Sequence, residues 1–212
     1  MDYYLLAGDG ILAEEFAYGE DHVTVGLGGA TWAPGDRRWR GAGSFARCLR
    51  TNGALLATAT PVDRDRAARV YRDLCGASLP GEAQLRARFG DWVRLTSAAP
   101  LRLGGHDTPA GFAEKRVYRV LFARELPDTR LAGLSASWPG GGDGGMPGGR
   151  GRAGADLFSW TLRRVGRGIA WALDVTVLLS GDRAEIVGDV LRKLTADVRS
   201  RGLIPVTTER FA

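Results

Sequence analysis

Histidine and cysteine are scarce in this chain of 212 residues, which contains two of each. The spacing of Cys48 and Cys75 does not match a zinc site. Two cysteines are too few for the dense disulfide framework of a small secreted scaffold. The sequence still allows one disulfide between them. A bound metal needs three or four ligands at suitable spacing, and no such group occurs. The sequence therefore predicts neither a metal site nor a cofactor.

Long apolar runs are also missing. No segment approaches the roughly 20 consecutive apolar residues that a membrane-spanning helix needs. The first residues lack the basic region that opens a signal peptide. The expectation is a cytoplasmic protein that has no membrane partner.

Lysine is nearly absent, because 27 of the 29 basic residues are arginine. This ratio is typical of a high-GC bacterium, so we interpret most of it as codon usage. The formal net charge of +5 nevertheless favours anionic partners. These are nucleic acid, an anionic small molecule that carries phosphate or carboxylate, or an acidic carrier protein.

The segment that follows residue 156 has the clearest pattern. Two strand-like runs, residues 157–165 and 169–179, flank a predicted two-residue turn at Gly166 and Arg167. In this register the runs sort into an apolar face and a polar face, and a slip of one residue would mix them. The predicted polar face contains Ser159, Thr161, Arg163, Ala170, Ala172, Asp174 and Thr176.

A helix and a final strand follow this hairpin. Asp182 is the predicted N-cap, and apolar residues continue at helical spacing as far as Val198. Gly202 suits the residue that ends the helix. The β-branched residues between 204 and 208 predict the returning strand.

The first 138 residues alternate short strands and helices. Strands are predicted at residues 3–7, 22–28, 54–60, 92–96 and 115–124, and helices at residues 63–75 and 80–89. The fold class is therefore α+β, with an antiparallel sheet that has helices packed on one face. A strand followed by an Asp-Arg-led helix occurs in both halves, so we keep two ferredoxin-like halves as an alternative.

A glycine-rich stretch divides the chain. Its nine glycines make ordering costly, so residues 139–155 are predicted as a flexible surface loop, with a mobile lid as the alternative. The GxGxxG match inside it precedes a strand-like segment instead of a helix, which excludes a dinucleotide fingerprint. The predicted organisation is an N-terminal half at residues 1–138, this loop, and a hairpin–helix–strand unit at residues 156–212. The last unit is expected to share one core with the first half.

The loop that precedes residue 43 contains the best candidate for an anion site. Arg37, Arg38 and Trp39 combine guanidinium groups, which bind carboxylate or phosphate in a bidentate manner, with an indole ring for stacking. Arg163, on the polar hairpin face, is predicted to help hold the same anionic substrate. A surface loop anchored by its tryptophans is the structural alternative.

Two residues are candidates for moving a proton. Asp174 lies near Arg163 on the polar face, where burial would raise the pKa of its carboxyl and the arginine would lower it. His106 lies beside Asp107 in a loop of glycine and proline, which suits a positioned general base or an exposed turn residue. The acidic residues between 9 and 21 are interpreted as partners of nearby arginines.

The leading hypothesis is a small enzyme of biosynthetic type, or a ligand-binding protein, that acts on an anionic or carrier-bound small molecule. Whether the chain is catalytic stays open. The first alternative is an RNA-binding or RNA-processing α+β module, which in general layout resembles the repeat-associated RNA-binding proteins with tandem ferredoxin-like halves, with none of their motifs matched. The second alternative is a non-catalytic subunit of a complex, in which the apolar hairpin face forms an oligomer.

Overall fold

The computed structural model describes residues 1–90, 92–96, 107–138, 146–166, 170–181 and 185–211. Internal contacts divide the chain into two units. The N-terminal unit contains Met1–Gly19 and Thr24–Thr96, and the C-terminal unit contains Glu20–Val23 and the described residues from 107 onward. Each unit has its own antiparallel sheet and its own apolar cluster. The predicted α+β class is confirmed, and the predicted boundary at residue 138 falls inside the C-terminal unit.

The N-terminal unit contains a sheet and four helices. Its strands follow the order β4-β3-β2-β1-β5, and the short strand β6 pairs with the same edge of β3 as β4 does. The elements are β1 (Asp2–Leu6), β2 (Gly10–Tyr18), β3 (Thr24–Trp32), β4 (Arg40–Gly41), α1 (Gly43–Thr51), α2 (Gly53–Thr58), β5 (Ala59–Val62), α3 (Arg64–Cys75), α4 (Glu82–Arg86) and β6 (Val93–Arg94).

Side-chain caps mark the starts of helices α2 and α3 in this unit. Asp63 accepts a hydrogen bond from the N–H of Arg66, which confirms the predicted start of α3. The strand predicted at residues 54–60 is wrong over most of its length, because α2 occupies it as far as Thr58. The side chain of Asn52 accepts from the N–H groups of Ala54 and Leu55, and the alanines and leucines that follow are good helix formers, so a capped helix forms here.

The sheet of the N-terminal unit has helices on both faces. On one face, the rings of Trp32 and Tyr71 lie 4.9 Å apart, which joins β3 to α3. On the other face, Ala46 of α1 lies against Gly29 of β3. A Cβ on Gly28 would lie 2.7 Å from the ring of Phe89, so glycine at this position lets the chain after α4 pack directly onto the strand.

The C-terminal unit contains a five-stranded sheet and two helices. The strand order is β11-β7-β10-β9-β8, and every neighbouring pair is antiparallel. Without the edge strand β8, this is the βαββαβ connectivity of the ferredoxin-like fold, whereas β1, β2 and β3 of the N-terminal unit form a meander. The elements are β7 (Glu114–Ala123), α5 (Asp128–Ser137), β8 (Gly148–Ala153), β9 (Asp156–Val165), β10 (Ala170–Leu179), α6 (Glu185–Ser200) and β11 (Ile204–Arg210).

The β9–β10 hairpin has the two faces that the sequence predicts. Val165 pairs with Ala170, which leaves four residues between the strands instead of the predicted two. A shift of two positions keeps every side chain on its face, so Trp160 lies opposite Val175 in the apolar cluster. The predicted N-cap Asp182 and the turn residue Arg167 lie outside the described residues.

Part of the glycine-rich stretch forms a strand. Gly148–Ala153 pairs along β9, whereas composition predicted an unordered loop there. The ring of Trp160 lies 3.5 Å from the place where Gly151 would carry a Cβ, so the indole packs against the edge strand at this glycine. Residues 139–145 lie outside the described part of the chain.

Candidate functional site

The connection between β3 and β4 positions the predicted anion-binding residues. The N–H groups of Asp36 and Arg37 donate to the C=O of Ala33 at 3.0 and 3.3 Å. Arg37 then adopts a left-handed backbone conformation, with φ of 51°. This conformation turns the chain sharply, so neighbouring side chains of the connection contribute to different clefts.

The α1 cleft has a volume of about 840 Å³ and lies at the start of helix α1. Its walls come from the β1–β2 turn, the end of β3, the first turn of α1, and α2. The residues that line it are Leu6, Ala7, Gly8, Gly10, Thr31, Trp32, Ala33, Arg40, Gly41, Ala42, Gly43, Ser44, Phe45, Leu55, Thr58, Phe89 and Gly90. Most of these residues are apolar or glycine, so the lining of the cleft is mostly apolar.

The charge that faces the α1 cleft is positive. Among the described lining residues, Arg40 alone carries a formal charge, and its Nη2 donates to Asp36 Oδ1 at 2.6 Å on the exposed surface. The N-cap residue Ala42 provides no side-chain hydrogen bond to the first turn of α1. The N–H groups of that turn and Arg40 thus present donors and positive charge at one end of an apolar cleft.

The Trp39 cleft is a second depression of about 500 Å³ in the same unit. It contains two of the predicted residues, Arg38 and Trp39, and adds residues of α4 and the chain that follows it. Its lining is Arg38, Trp39, Pro80, Gln84, Leu85, Ala87 and Arg88.

The third predicted residue of this loop lies elsewhere. Arg37 lines a separate cleft of about 620 Å³ with Pro34, Tyr71 and Cys75. The structure therefore brings Arg38 and Trp39 together and separates Arg37 from them. Arg88 also lines the Trp39 cleft. The sequence did not predict it as a site residue, because no local pattern links it to the loop between β3 and β4.

The polar face of the C-terminal sheet holds the predicted pair Asp174 and Arg163. Arg163 Nε donates to Asp174 Oδ2 at 2.8 Å. Arg119 of β7 donates to the same carboxylate from Nε at 2.6 Å and from Nη2 at 3.1 Å. The guanidinium of Arg119 also lies 4.6 Å from the ring centroid of Phe211. Arg119 lies directly opposite Asp174 in the sheet register, so a correct strand order would have identified it.

The environment of Asp174 makes its carboxylate a weak base. Burial by itself would raise the pKa of Asp174, but the hydrogen bonds and charges of Arg119 and Arg163 outweigh burial and hold the pKa below its usual value. A general base that works near neutral pH needs the opposite shift. The other predicted proton carrier, His106, lies outside the described residues.

Three of the acidic residues near the N-terminus pair with arginines. Glu14 forms a buried ion pair with Arg50, Glu15 pairs with Arg86 at 2.6 Å, and Asp21 pairs with Arg210 at 2.7 Å. The interpretation of these carboxylates as partners of arginine is confirmed for all three pairs. Within the described ranges, no group of three or more histidine, cysteine or acidic residues is placed to hold a metal ion.

The chain matches no protein-family model, no curated protein sequence and no solved structure. No helix in the described part of the chain is long and apolar enough to cross a membrane.

Proposed function

We propose that the N-terminal unit binds a small molecule that has an apolar body and one anionic group, and that the α1 cleft is its site. The observation that carries this proposal is the cleft itself. Its volume of about 840 Å³ lies within the range of small-molecule sites, which are mostly apolar with a few placed polar groups. Here the apolar wall includes Trp32, Phe45 and Phe89, and the polar groups are Arg40 and the first turn of α1.

The geometry supports binding more than catalysis at this site. Of the described residues that line the α1 cleft, none has a carboxylate, an imidazole or a thiol, so no side chain there suits general acid–base or thiolate chemistry. The hydroxyl groups of Thr31, Ser44 and Thr58 are the remaining polar side chains. Ligand binding is therefore the activity that we assign to the cleft.

The RNA-binding alternative has less support from the C-terminal sheet. Single-strand binders of this fold stack bases on aromatic side chains of the central strands. On the face away from the apolar cluster, β7 carries Val117, Arg119 and Leu121, and β10 carries Ala172, Asp174 and Thr176. None of these six residues is aromatic.

The test is calorimetric titration of the full chain with a matched pair, indole-3-acetate and its neutral analogue indole-3-ethanol. The carboxylate is expected to bind at least about tenfold more tightly, because one charge-assisted hydrogen bond stabilises a complex by roughly 1.5–3 kcal/mol. Arg40→Gln should remove this preference. Ser44→Trp, at an exposed position in the lining, should prevent binding of both compounds by filling the mouth of the cleft.

The matched control is Arg47→Gln, which removes a charge from an exposed position of the same helix outside the cleft. Equal binding of the two compounds would refute the anionic part of the proposal. Unchanged binding in Ser44→Trp would show that the α1 cleft is not the site.

A further inference from the structure

The Trp39 cleft has an excess of positive charge. Arg38 and Arg88 both line it and are exposed, and neither guanidinium group forms an ion pair or a hydrogen bond with another described residue. The neighbouring Arg86 on α4 differs in this respect, since it pairs with Glu15. No described lining residue is acidic. Two like charges in one depression repel each other unless an anion lies between them.

The other polar side chain of this cleft is also a donor. Gln84 Oε1 accepts a hydrogen bond from the N–H of Gly81 at 2.9 Å, which is the capping interaction at the start of α4. This bond occupies the amide oxygen and leaves the amide N–H groups as the available part of the side chain. Arg38, Arg88 and Gln84 thus give the cleft donors without a competing acceptor among their side chains.

An apolar wall completes the cleft. Trp39 is half-buried, and its ring lies 5.9 Å from that of Tyr71, which in turn packs on Trp32. Leu85 is fully buried beneath the same cleft, and Pro80 adds to the wall. An indole held by such packing loses little freedom when a flat ligand lies against it, so stacking there is favourable.

We propose that the Trp39 cleft binds a phosphomonoester whose phosphate contacts Arg38 and Arg88 and whose flat aromatic body lies against Trp39. A phosphomonoester carries about −1.5 to −2 charges near neutral pH, so it can match two guanidinium groups, whereas a carboxylate carries a single charge. Guanidinium groups bind phosphate oxygens in a bidentate manner. A nucleoside monophosphate has both parts of this ligand. The Trp39 cleft shares no described lining residue with the α1 cleft, so substitutions in one cleft leave the lining of the other unchanged.

The experiment is titration of the full chain with AMP, adenosine, inorganic phosphate and cyclic AMP at low and moderate salt, followed by calorimetry and by the phosphorus NMR shift of AMP. AMP is expected to bind more tightly than the other three compounds. Adenosine lacks the charge, phosphate lacks the ring, and cyclic AMP is a diester with one charge. Arg38→Gln and Arg88→Gln should each weaken AMP binding by about tenfold, and both together should reduce it to the level of adenosine.

A matched control keeps this result specific. Arg69→Gln removes an equal charge from an exposed position of α3 outside the cleft and should leave AMP binding unchanged. The proposal is overturned if AMP and adenosine bind equally, if AMP does not bind at all, or if Arg69→Gln weakens AMP as much as Arg38→Gln does.

Discussion

Glu14 and Arg50 form a buried ion pair between β2 and α1. Glu14 is 0% exposed, and the side chain of Arg50 is 4% exposed. Arg50 Nη1 donates to Glu14 Oε2 at 2.9 Å and to the C=O of Ala46 at 2.6 Å, and its guanidinium lies 5.0 Å from the ring centroid of Phe16. Burial by itself would lower the pKa of Arg50, but the Glu14 carboxylate raises it above its usual value, so Arg50 stays charged.

Glu14→Gln is expected to lower the free energy of unfolding by roughly 3–5 kcal/mol, because it leaves the buried charge of Arg50 without its carboxylate. Replacing both residues by leucine should recover most of this loss, since a buried ion pair is often no more stabilising than apolar side chains of similar volume. Urea denaturation followed by tryptophan fluorescence measures both effects. A loss below about 1 kcal/mol for Glu14→Gln would contradict the requirement for the carboxylate.

Among the elements, β10 is the central strand of the C-terminal sheet, and it carries the carboxylate at the middle of the polar face. Its residue Asp174 receives hydrogen bonds from Arg119 on β7 and from Arg163 on β9. The carboxylate therefore joins three neighbouring strands and compensates two guanidinium groups that would otherwise repel each other. This arrangement explains why Asp174 suits a structural role in the sheet better than a role in proton transfer.

Asp174→Asn is expected to destabilise the C-terminal unit by roughly 1–3 kcal/mol at neutral pH, because it removes charge-assisted hydrogen bonds. The folded pKa of Asp174 is lowered, so its contribution is fully present above the unfolded pKa of about 3.9 and is lost as pH falls through the folded value. The difference between the wild type and Asp174→Asn should thus be constant from about pH 5 to 7 and should shrink below about pH 4.

Urea denaturation at several pH values measures this dependence. The matched control is Asp189→Asn, whose carboxylate pairs with Arg192 on the exposed surface of α6 and should change stability by less than about 0.5 kcal/mol. A difference for Asp174→Asn that grows toward low pH would reverse the expected sign and exclude the ion-pair explanation.

In the whole molecule, the described residues form two apolar clusters that share no residue. The cluster of the C-terminal unit lies between one face of its sheet and helices α5 and α6, with Leu194 at 2% exposure. The cluster of the N-terminal unit includes Tyr3, Trp32 and Leu85. Both proposed clefts are lined by residues of the N-terminal unit alone.

Leu194→Ala is expected to lower stability by roughly 2–5 kcal/mol, because it removes buried volume from the C-terminal cluster. Hydrogen exchange should become faster mainly in peptides from β7, β9 and β10, while β1 to β3 keep their protection. Leu85→Ala should give the reverse pattern. Equal loss of protection in both units would show that they unfold as one cooperative body.

The local elements were predictable because their signals act over a few residues. Asp63 caps α3, and alternation along β9 and β10 sorts their side chains into two faces, as expected. The loop between β9 and β10 was predicted with the wrong length, yet the faces were right because the error was an even number of residues. The start of β5 was missed because Asn52 caps a short helix of alanine and leucine over most of the segment that had been predicted as a strand.

Sequence patterns were enough to predict the α+β class, helices α3, α4 and α6, and the two faces of the β9–β10 hairpin. The three-dimensional packing was needed to see that Arg88 lines the same cleft as Arg38 and Trp39, that Arg37 lines another cleft, and that two arginines hold Asp174. The difference comes from distance along the chain. Caps, turns and alternation act between near neighbours, whereas a cleft or an ion pair joins residues about fifty positions apart and depends on which strands and helices pack together.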